Sequence, residues 1–240
     1  MLRFFRQIRQ RLLTDNKFSK YLLYAVGEIL LVVIGILIAL QIGSWNEDRK
    51  TKLSADRYRS KLINDLVNDT LNINQLMADG SLMQNEIEAY FKDFETQNLS
   101  LDECIKISGG VRAHFFRYFP INYTFEDMKN TGNAVLLSEE QRKALIELYN
   151  EQKFLLIIID KSITDIKTYQ YERGKHLDFD ASESDFFDKV NWKQDTTRKK
   201  QGLLSQHNVL SNHLSLVTLF NYHALRIKDL TKKCIDLLNK

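Results

Sequence analysis

An uninterrupted apolar stretch near the N-terminus constrains the fold of this chain more than any other feature. Residues 21–45 read YLLYAVGEILLVVIGILIALQIGSW and contain one charged side chain, Glu28. A helix needs about 20 apolar residues, each rising about 1.5 Å, to cross the hydrocarbon of a bilayer. The stretch therefore predicts a transmembrane helix over residues 21–45.

A cleaved signal peptide is the alternative interpretation of this stretch. The apolar core of a signal peptide has about 7–15 residues and precedes a small-residue cleavage site. The stretch here is longer and ends in QIGSW, without such a site. Tyr21, Tyr24 and Trp45 also lie where aromatic side chains concentrate at membrane interfaces. We therefore favour an uncleaved signal anchor.

The flanking charges predict the orientation of the span. Residues 1–20 carry six basic residues against one acid, and residues 46–61 carry as many basic residues mixed with three acids. The count of positive residues alone is near a tie. Long domains translocate largely regardless of their charge, whereas a short basic tail stays in the cytoplasm. We therefore expect residues 1–20 inside the cytoplasm and residues 46–240 outside it.

The N-terminal tail also has the pattern of a basic amphipathic helix, with Phe5, Ile8 and Leu12 at helical spacing. Such helices lie on anionic lipid surfaces. An unstructured basic tail is the alternative, and we favour the interfacial helix. Membrane lipid is then a partner, contacted by the basic side chains Arg3, Arg6, Arg9 and Arg11.

One face of the span is suited to helix association. Gly35, Ala39 and Gly43 are spaced four apart, and small residues at this spacing let two helices approach closely. Glu28 lies two turns before Gly35 on the same stripe, and an acid within the hydrocarbon usually faces a partner or a cavity. We expect assembly through this face, with a second copy or with another membrane protein. The alternatives are a plain anchor and a Glu28 that reaches the headgroups.

Composition limits the fold and the partners. One proline and nine glycines in 240 residues supply too few turns for a many-stranded sandwich or barrel. The formal net charge is +3, and the six basic residues and one acid of residues 1–20 alone give a larger positive charge. The remainder is close to neutral, so nucleic acid is not an expected partner.

The chain after the span has helical periodicity throughout. A first apolar stripe continues past residue 45 with steps of three and four, and Ser100 with Glu103 and Ser138 with Gln141 match capping boxes. The first box predicts a helix through Ile107 that restarts after Gly110. The second predicts a helix toward residue 174 in which residues 155–159 are buried on nearly all sides. We predict an all-α protein whose exterior is an antiparallel bundle of helices near residues 45–97, 138–174 and 203–239.

Two sequence blocks identify a family resemblance. The block FFRQIRQRLLTDNKFSKYLLYAVGEILLVVIGILIALQIGSWNE, followed later by YTFEDMKNTGN, resembles an uncharacterised family of bacterial single-pass membrane proteins, a domain of unknown function. The chain departs from that family's usual residues at Gly43, Ser44 and Thr131. The resemblance implies a bacterial inner-membrane anchor and a mostly helical periplasmic domain. It implies no activity and no catalytic residue.

Sequence motifs for chemistry are few. The acids between residues 178 and 188 lack the glycine and glutamate of a calcium loop. His207, His213 and His223 lack the spacing of metal ligands on a helix, so we expect no metal and no cofactor. The aromatic cluster at residues 114–119 is interpreted as core rather than as the wall of a ligand pocket. Cys104 and Cys234 are the only cysteines, and an oxidising exterior would permit a disulfide, although two buried free thiols are the favoured alternative.

These patterns favour a membrane-anchored protein without enzymatic activity that acts in interaction or as a scaffold. A sensor-like bundle that binds a small ligand or peptide and signals through a partner is the second hypothesis. An enzyme is the third, and no nucleophile elbow, phosphate loop or dinucleotide fingerprint supports it.

Overall fold

The computed structural model describes residues 18–177 and 195–240, and this part of the chain is helical without a β-strand. The all-α prediction is therefore confirmed. Two compact units divide the chain, the first ending at Arg57 and the second covering Tyr58–Lys240. The helices are α1 (Phe18–Thr96), α2 (Leu101–Gly110), α3 (Tyr123–Asn130), a 3-10 turn (Asn133–Leu136), α4 (Glu139–Gly174) and α5 (Thr196–Leu238).

Helix α1 continues the apolar stretch without a break, as the periodicity predicts. It passes through Gly80, although an interior glycine costs about 1 kcal/mol relative to alanine. A Cβ at Gly80 would lie 3.3 Å from Val217 Cγ1 on α5. The glycine therefore allows α1 and α5 to pack closely within the second unit.

Local capping fixes several helix ends. Both predicted capping boxes form: the Ser100 hydroxyl accepts from the Glu103 N–H and the Ser138 hydroxyl from the Gln141 N–H, with the reciprocal bonds also present. Helix α5 begins seven residues before the predicted start, because the Asp195 carboxylate accepts from the N–H groups of its first turn.

Residues 111–122, here called the strap, are extended rather than helical, so the predicted restart of the helix after Gly110 is wrong. The Arg112 N–H donates to Glu86 and the Ile121 N–H donates to Asp69. Between these contacts α1 rises about 26 Å, a length that about nine extended residues match. The strap therefore runs antiparallel along α1.

The strap also explains the topology of the second unit. Helices α4 and α5 are antiparallel, because Gln141 contacts the Leu237 carbonyl at one end and Arg173 contacts Gln206 at the other. Helices α1 and α4 are parallel, since residues 62–69 face residues 145–152. The predicted antiparallel bundle of three helices is thus only partly right. The chain runs back along α1 through the strap before it enters α4. In the order α1, strap, α4 and α5, each element is therefore antiparallel to the next.

The core lies between these four elements, and the strap contributes to it by alternation. Phe116 and Tyr118 are buried, whereas Arg117 and Phe119 are exposed, as expected for an extended chain with a period of two. The prediction that the aromatic cluster is core therefore holds at Phe116 and Tyr118 but not at Phe119. The prediction that residues 155–159 are buried on nearly all sides is wrong, because only Leu155 and Ile159 are buried and Ile157 is 64% exposed.

Candidate functional site

The apolar part of α1 is the candidate membrane site. Among the described residues one helix is long and apolar enough to cross a membrane by length and composition, and it is the part of α1 that starts at Ala25. Its most apolar 18-residue window has a mean hydropathy of 2.6 and no buried residue. Water-soluble surfaces rarely leave such an apolar area uncovered. The predicted span therefore coincides with an apolar helix in which no described side chain is buried.

The predicted assembly residues Glu28, Gly35, Ala39 and Gly43 all lie on this helix. A Cβ built at Gly35 or Gly43 meets no atom within 4 Å, so this face has room for a neighbouring helix. Glu28 is half-buried and takes part in an interaction within the chain. The membrane-surface arginines Arg3, Arg6, Arg9 and Arg11 lie outside the described residues, as do the acids between residues 178 and 188.

Cys104 and Cys234 are both buried free thiols, which is the interpretation that the sequence favours. Cys104 lies one turn from Ser108, whose carbonyl accepts from Gln206 on α5. From Gln206 to Cys234 helix α5 rises about 42 Å, whereas bridged Cα atoms lie within about 7 Å. A Cys104–Cys234 disulfide within one chain, the less favoured of the two interpretations, is therefore wrong.

The motif YTFEDMKNTGN attaches α3 to α1. The Thr124 N–H donates to Asp65 at 2.8 Å, which satisfies a free donor at the start of α3. The Tyr58 hydroxyl donates to Asp127 at 3.0 Å. Phe125 and Met128 are buried, and Gly132 closes the segment with a φ of 75°. These contacts give the motif a structural role.

A buried carboxylate joins α1, the strap and α4. Asp69 is fully buried and accepts from the Tyr118 hydroxyl at 2.8 Å, from Gln152 Nε2 at 2.9 Å and from the Ile121 N–H at 2.9 Å. Burial raises the pKa of Asp69, although these bonds favour its charged form. Three donors from two other elements converge here, so this cluster fixes the position of the strap.

Sequence reasoning missed this cluster. Apolar periodicity marks Leu66 and Ile73 as core, but it passes over Asp69, which takes the buried position between them. An acid that interrupts an apolar stripe at i, i+3 and i+7 is a detectable signal. Its hydrogen-bond partners come from distant segments and could not be read from it.

A second buried pair joins α4 to α5. His223 Nδ1 and Glu151 Oε1 form a hydrogen bond of 2.7 Å, and Arg226 Nε lies 3.1 Å from Glu151 Oε2. The rings of Phe154 and Tyr222 pack against the His223 ring at centroid distances of 5.3 and 5.0 Å. Both rings are more than half exposed. Glu151 and His223 thus support an exposed aromatic surface.

This surface extends further along the helix pair. Ile157 lies one turn after Phe154 on α4, and Leu219 lies one turn before Tyr222 on α5. Because the two helices are antiparallel, both steps go in the same direction. All four side chains are exposed by 42% or more. We call these four residues the α4–α5 patch.

A cavity of about 580 Å³ lies at the opposite end of α4 from Ser138. It is formed by the end of α2, the start of the strap, the last turns of α4 and the first third of α5. Its wall combines basic, amide and apolar side chains. Among its lining residues are Val111, Ala113, Lys167, Gln170, Arg173 and Gln206.

Comparisons with known proteins give one match. A family of unknown function, DUF6090, matches residues 28–198. No curated protein and no solved structure matches the chain. The match covers more than half of the chain and includes the strap, the motif at residues 123–133 and α4. The chain therefore belongs to the DUF6090 family of unknown function.

Proposed function

We propose that this protein is a membrane-anchored interaction or scaffold protein without enzymatic activity. The α4–α5 patch carries the proposal, because it exposes two aromatic and two aliphatic side chains on adjacent helices. Aromatic side chains contribute most of the binding energy in many protein interfaces. The buried Glu151–His223 pair holds Phe154 and Tyr222 in place, so the surface is preorganised for a protein partner.

The proposed location is the bacterial inner membrane, with a cytoplasmic N-terminus and a periplasmic C-terminal domain. The basic tail and the single apolar helix support this orientation. Alkaline phosphatase fused after Lys240 should be active in cells. An inactive fusion, together with an active cytoplasmic reporter at the same site, would contradict the orientation.

Co-purification tests the patch. Full-length protein in mild detergent should retain a protein partner in stoichiometric amount, and Phe154→Ser should release it. Ile146→Ser is the matched control, since Ile146 is similarly exposed, at 48% against 51%, on the same helix. Equal retention by both variants, or no partner with the wild type, would refute the role of the patch.

Assembly through the span is a separate part of the proposal. In a reporter of transmembrane-helix association, Gly35→Leu should separate the helices and reduce the signal, whereas Val33→Leu, on the opposite side, should not. Glu28→Gln should preserve the signal if the acid acts as a neutral hydrogen-bonding group. A monomeric baseline for the wild type would leave the span as an anchor only.

A sensor-like function is the second candidate, and the cavity of about 580 Å³ favours it. Ligand pockets commonly measure about 300–1,000 Å³. A ligand here would contact α2, the strap, α4 and α5 together. Binding could therefore change the packing of these elements and be read by a partner.

A further inference from the structure

The outer face of α1 in the second unit is exposed but almost uncharged. Asp69 and Ile73 lie on the core face of this segment, and the opposite face is open. From Ser60 to Asn85 the exposed residues of α1 include one charged side chain, Lys61, whereas most exposed residues of α4 from Glu139 to Thr168 are charged. The cores of protein interfaces are depleted in charged residues. The outer face of α1 therefore has the composition of an interface core rather than that of a solvated helix.

The exposed positions of this face repeat with alternating steps of three and four residues. Two positions of each heptad, called a and d, form the seam of a coiled coil. The a positions are Asn64, Leu71, Ala78 and Asn85, and the d positions are Ser60, Val67, Asn74 and Ser81. Every one of these residues is exposed, and Leu71 is 61% exposed. We call this set of residues the α1 seam.

The asparagines of the seam indicate what pairs with it. Asn64, Asn74 and Asn85 have no hydrogen-bond partner among the described residues, whereas Gln75 and Gln84 of the same helix donate to acids one turn ahead. An asparagine in a coiled-coil seam specifies the register of the two helices. In a parallel pair of identical helices each asparagine meets its own copy, and an amide can both donate to and accept from another amide.

The membrane anchor favours the same arrangement. Two copies whose spans lie in one membrane have α1 helices that point the same way, as a parallel coiled coil requires. Counted along the sequence, the steps of three and four continue from Ser60 back to Leu53, Gly43 and Ala39. Gly43 and Ala39 belong to the face of the span that is proposed to assemble.

We propose that the α1 seam pairs with the seam of a second copy of this chain as a parallel coiled coil of two helices. The apolar side chains of the seam, Val67, Leu71 and Ala78, are few, so the seam would associate weakly in solution. Attachment of both copies to one membrane raises their effective concentration and offsets this weakness. The inference rests on the proposed membrane anchor and goes beyond the partner of the α4–α5 patch.

Cysteine cross-linking of the full-length protein in native membranes tests the proposal. Asn64→Cys, Leu71→Cys and Ala78→Cys each place a thiol at an a position, where the two copies should approach within the about 7 Å between Cα atoms that a disulfide requires. Mild oxidation should convert most of each variant into a disulfide-linked dimer. The wild type should remain a monomer on a non-reducing gel, because its own thiols are buried. Asn68→Cys is the matched control, since Asn68 is an exposed asparagine one turn from Asn64 but outside the seam.

A change of charge tests the seam without a thiol. Asn64→Asp brings two like-charged carboxylates together, so the dissociation constant of the dimer in micelles should rise at least about tenfold. Asn68→Asp adds the same charge outside the seam and should leave the constant unchanged. Sedimentation equilibrium in density-matched detergent measures both variants, and equal constants for the two would contradict the seam.

The cross-linking results separate the possible partners. Equal yields for Asn68→Cys and the three seam variants would assign dimerisation to the span alone and overturn the seam. No linked dimer at any a position, or a product with the mass of a different protein, would overturn a second copy as the partner. None of these results affects the α4–α5 patch, which Phe154→Ser tests separately.

Discussion

His213 should make the second unit sensitive to acid. This side chain is fully buried on α5, and the Phe115 ring of the strap packs on it at a centroid distance of 5.4 Å. Neither ring nitrogen has a hydrogen-bond partner among the described residues. Burial, with a smaller contribution from the charge of His114, lowers the pKa of His213 to about 4.

The sign of the effect follows from proton linkage. In the unfolded chain the pKa of His213 is near its ordinary value of about 6.5, so the unfolded state binds the proton first as the pH falls. Stability is fully present above pH 6.5 and is lost between pH 6.5 and pH 4. With these two pKa values, the loss is about 2 kcal/mol at pH 5 and about 3 kcal/mol at pH 4.

Urea unfolding of the full-length protein in micelles, followed by circular dichroism, measures this loss. The comparison is between wild type and His213→Leu at pH 7.5, 5 and 4. Other titrating groups act equally on both proteins, so the difference between them isolates His213. At pH 7.5 the variant should be at least as stable as the wild type, because it removes an unsatisfied donor and acceptor that cost about 1–3 kcal/mol.

The advantage of His213→Leu should then grow by about 2 kcal/mol on going to pH 5. A constant difference between the two proteins over the whole pH range would refute the reasoning. So would an NMR titration in which the His213 ring protonates near pH 6.5.

Two further predictions concern packing in the second unit. Asp69→Ala should destabilise it by at least about 3 kcal/mol, because three donors at a buried site lose their acceptor. Asp165→Ala, at an exposed position of α4, should change the unfolding free energy by less than about 0.5 kcal/mol, and equal effects of the two variants in urea unfolding would contradict the buried cluster. Gly202→Ala should lower the melting temperature, because its Cβ would overlap the Leu177 side chain. Gly110→Ala, with open space at its Cβ, should not, and a Gly202→Ala protein as stable as the wild type would show that this close approach does not form.

The sequence by itself determined the local features of this protein. The exposed apolar helix follows from one run of side chains, and its continuation to Thr96 follows from the absence of proline and from the periodic stripe. The capping boxes at Ser100 and Ser138 form as predicted. Each of these features depends on residues a few positions apart, whose contacts are fixed by helix geometry alone.

Only the tertiary structure decided how the elements of the second unit combine. The strap is extended and hydrogen-bonds to α1 at Glu86 and Asp69, and it separates α1 from α4 along the chain. The three donors to Asp69 and the carbonyl that orients Gln206 come from segments tens of residues away. Such contacts depend on the free energy of packing all four elements together, since no local pattern records which distant donor meets a buried acceptor.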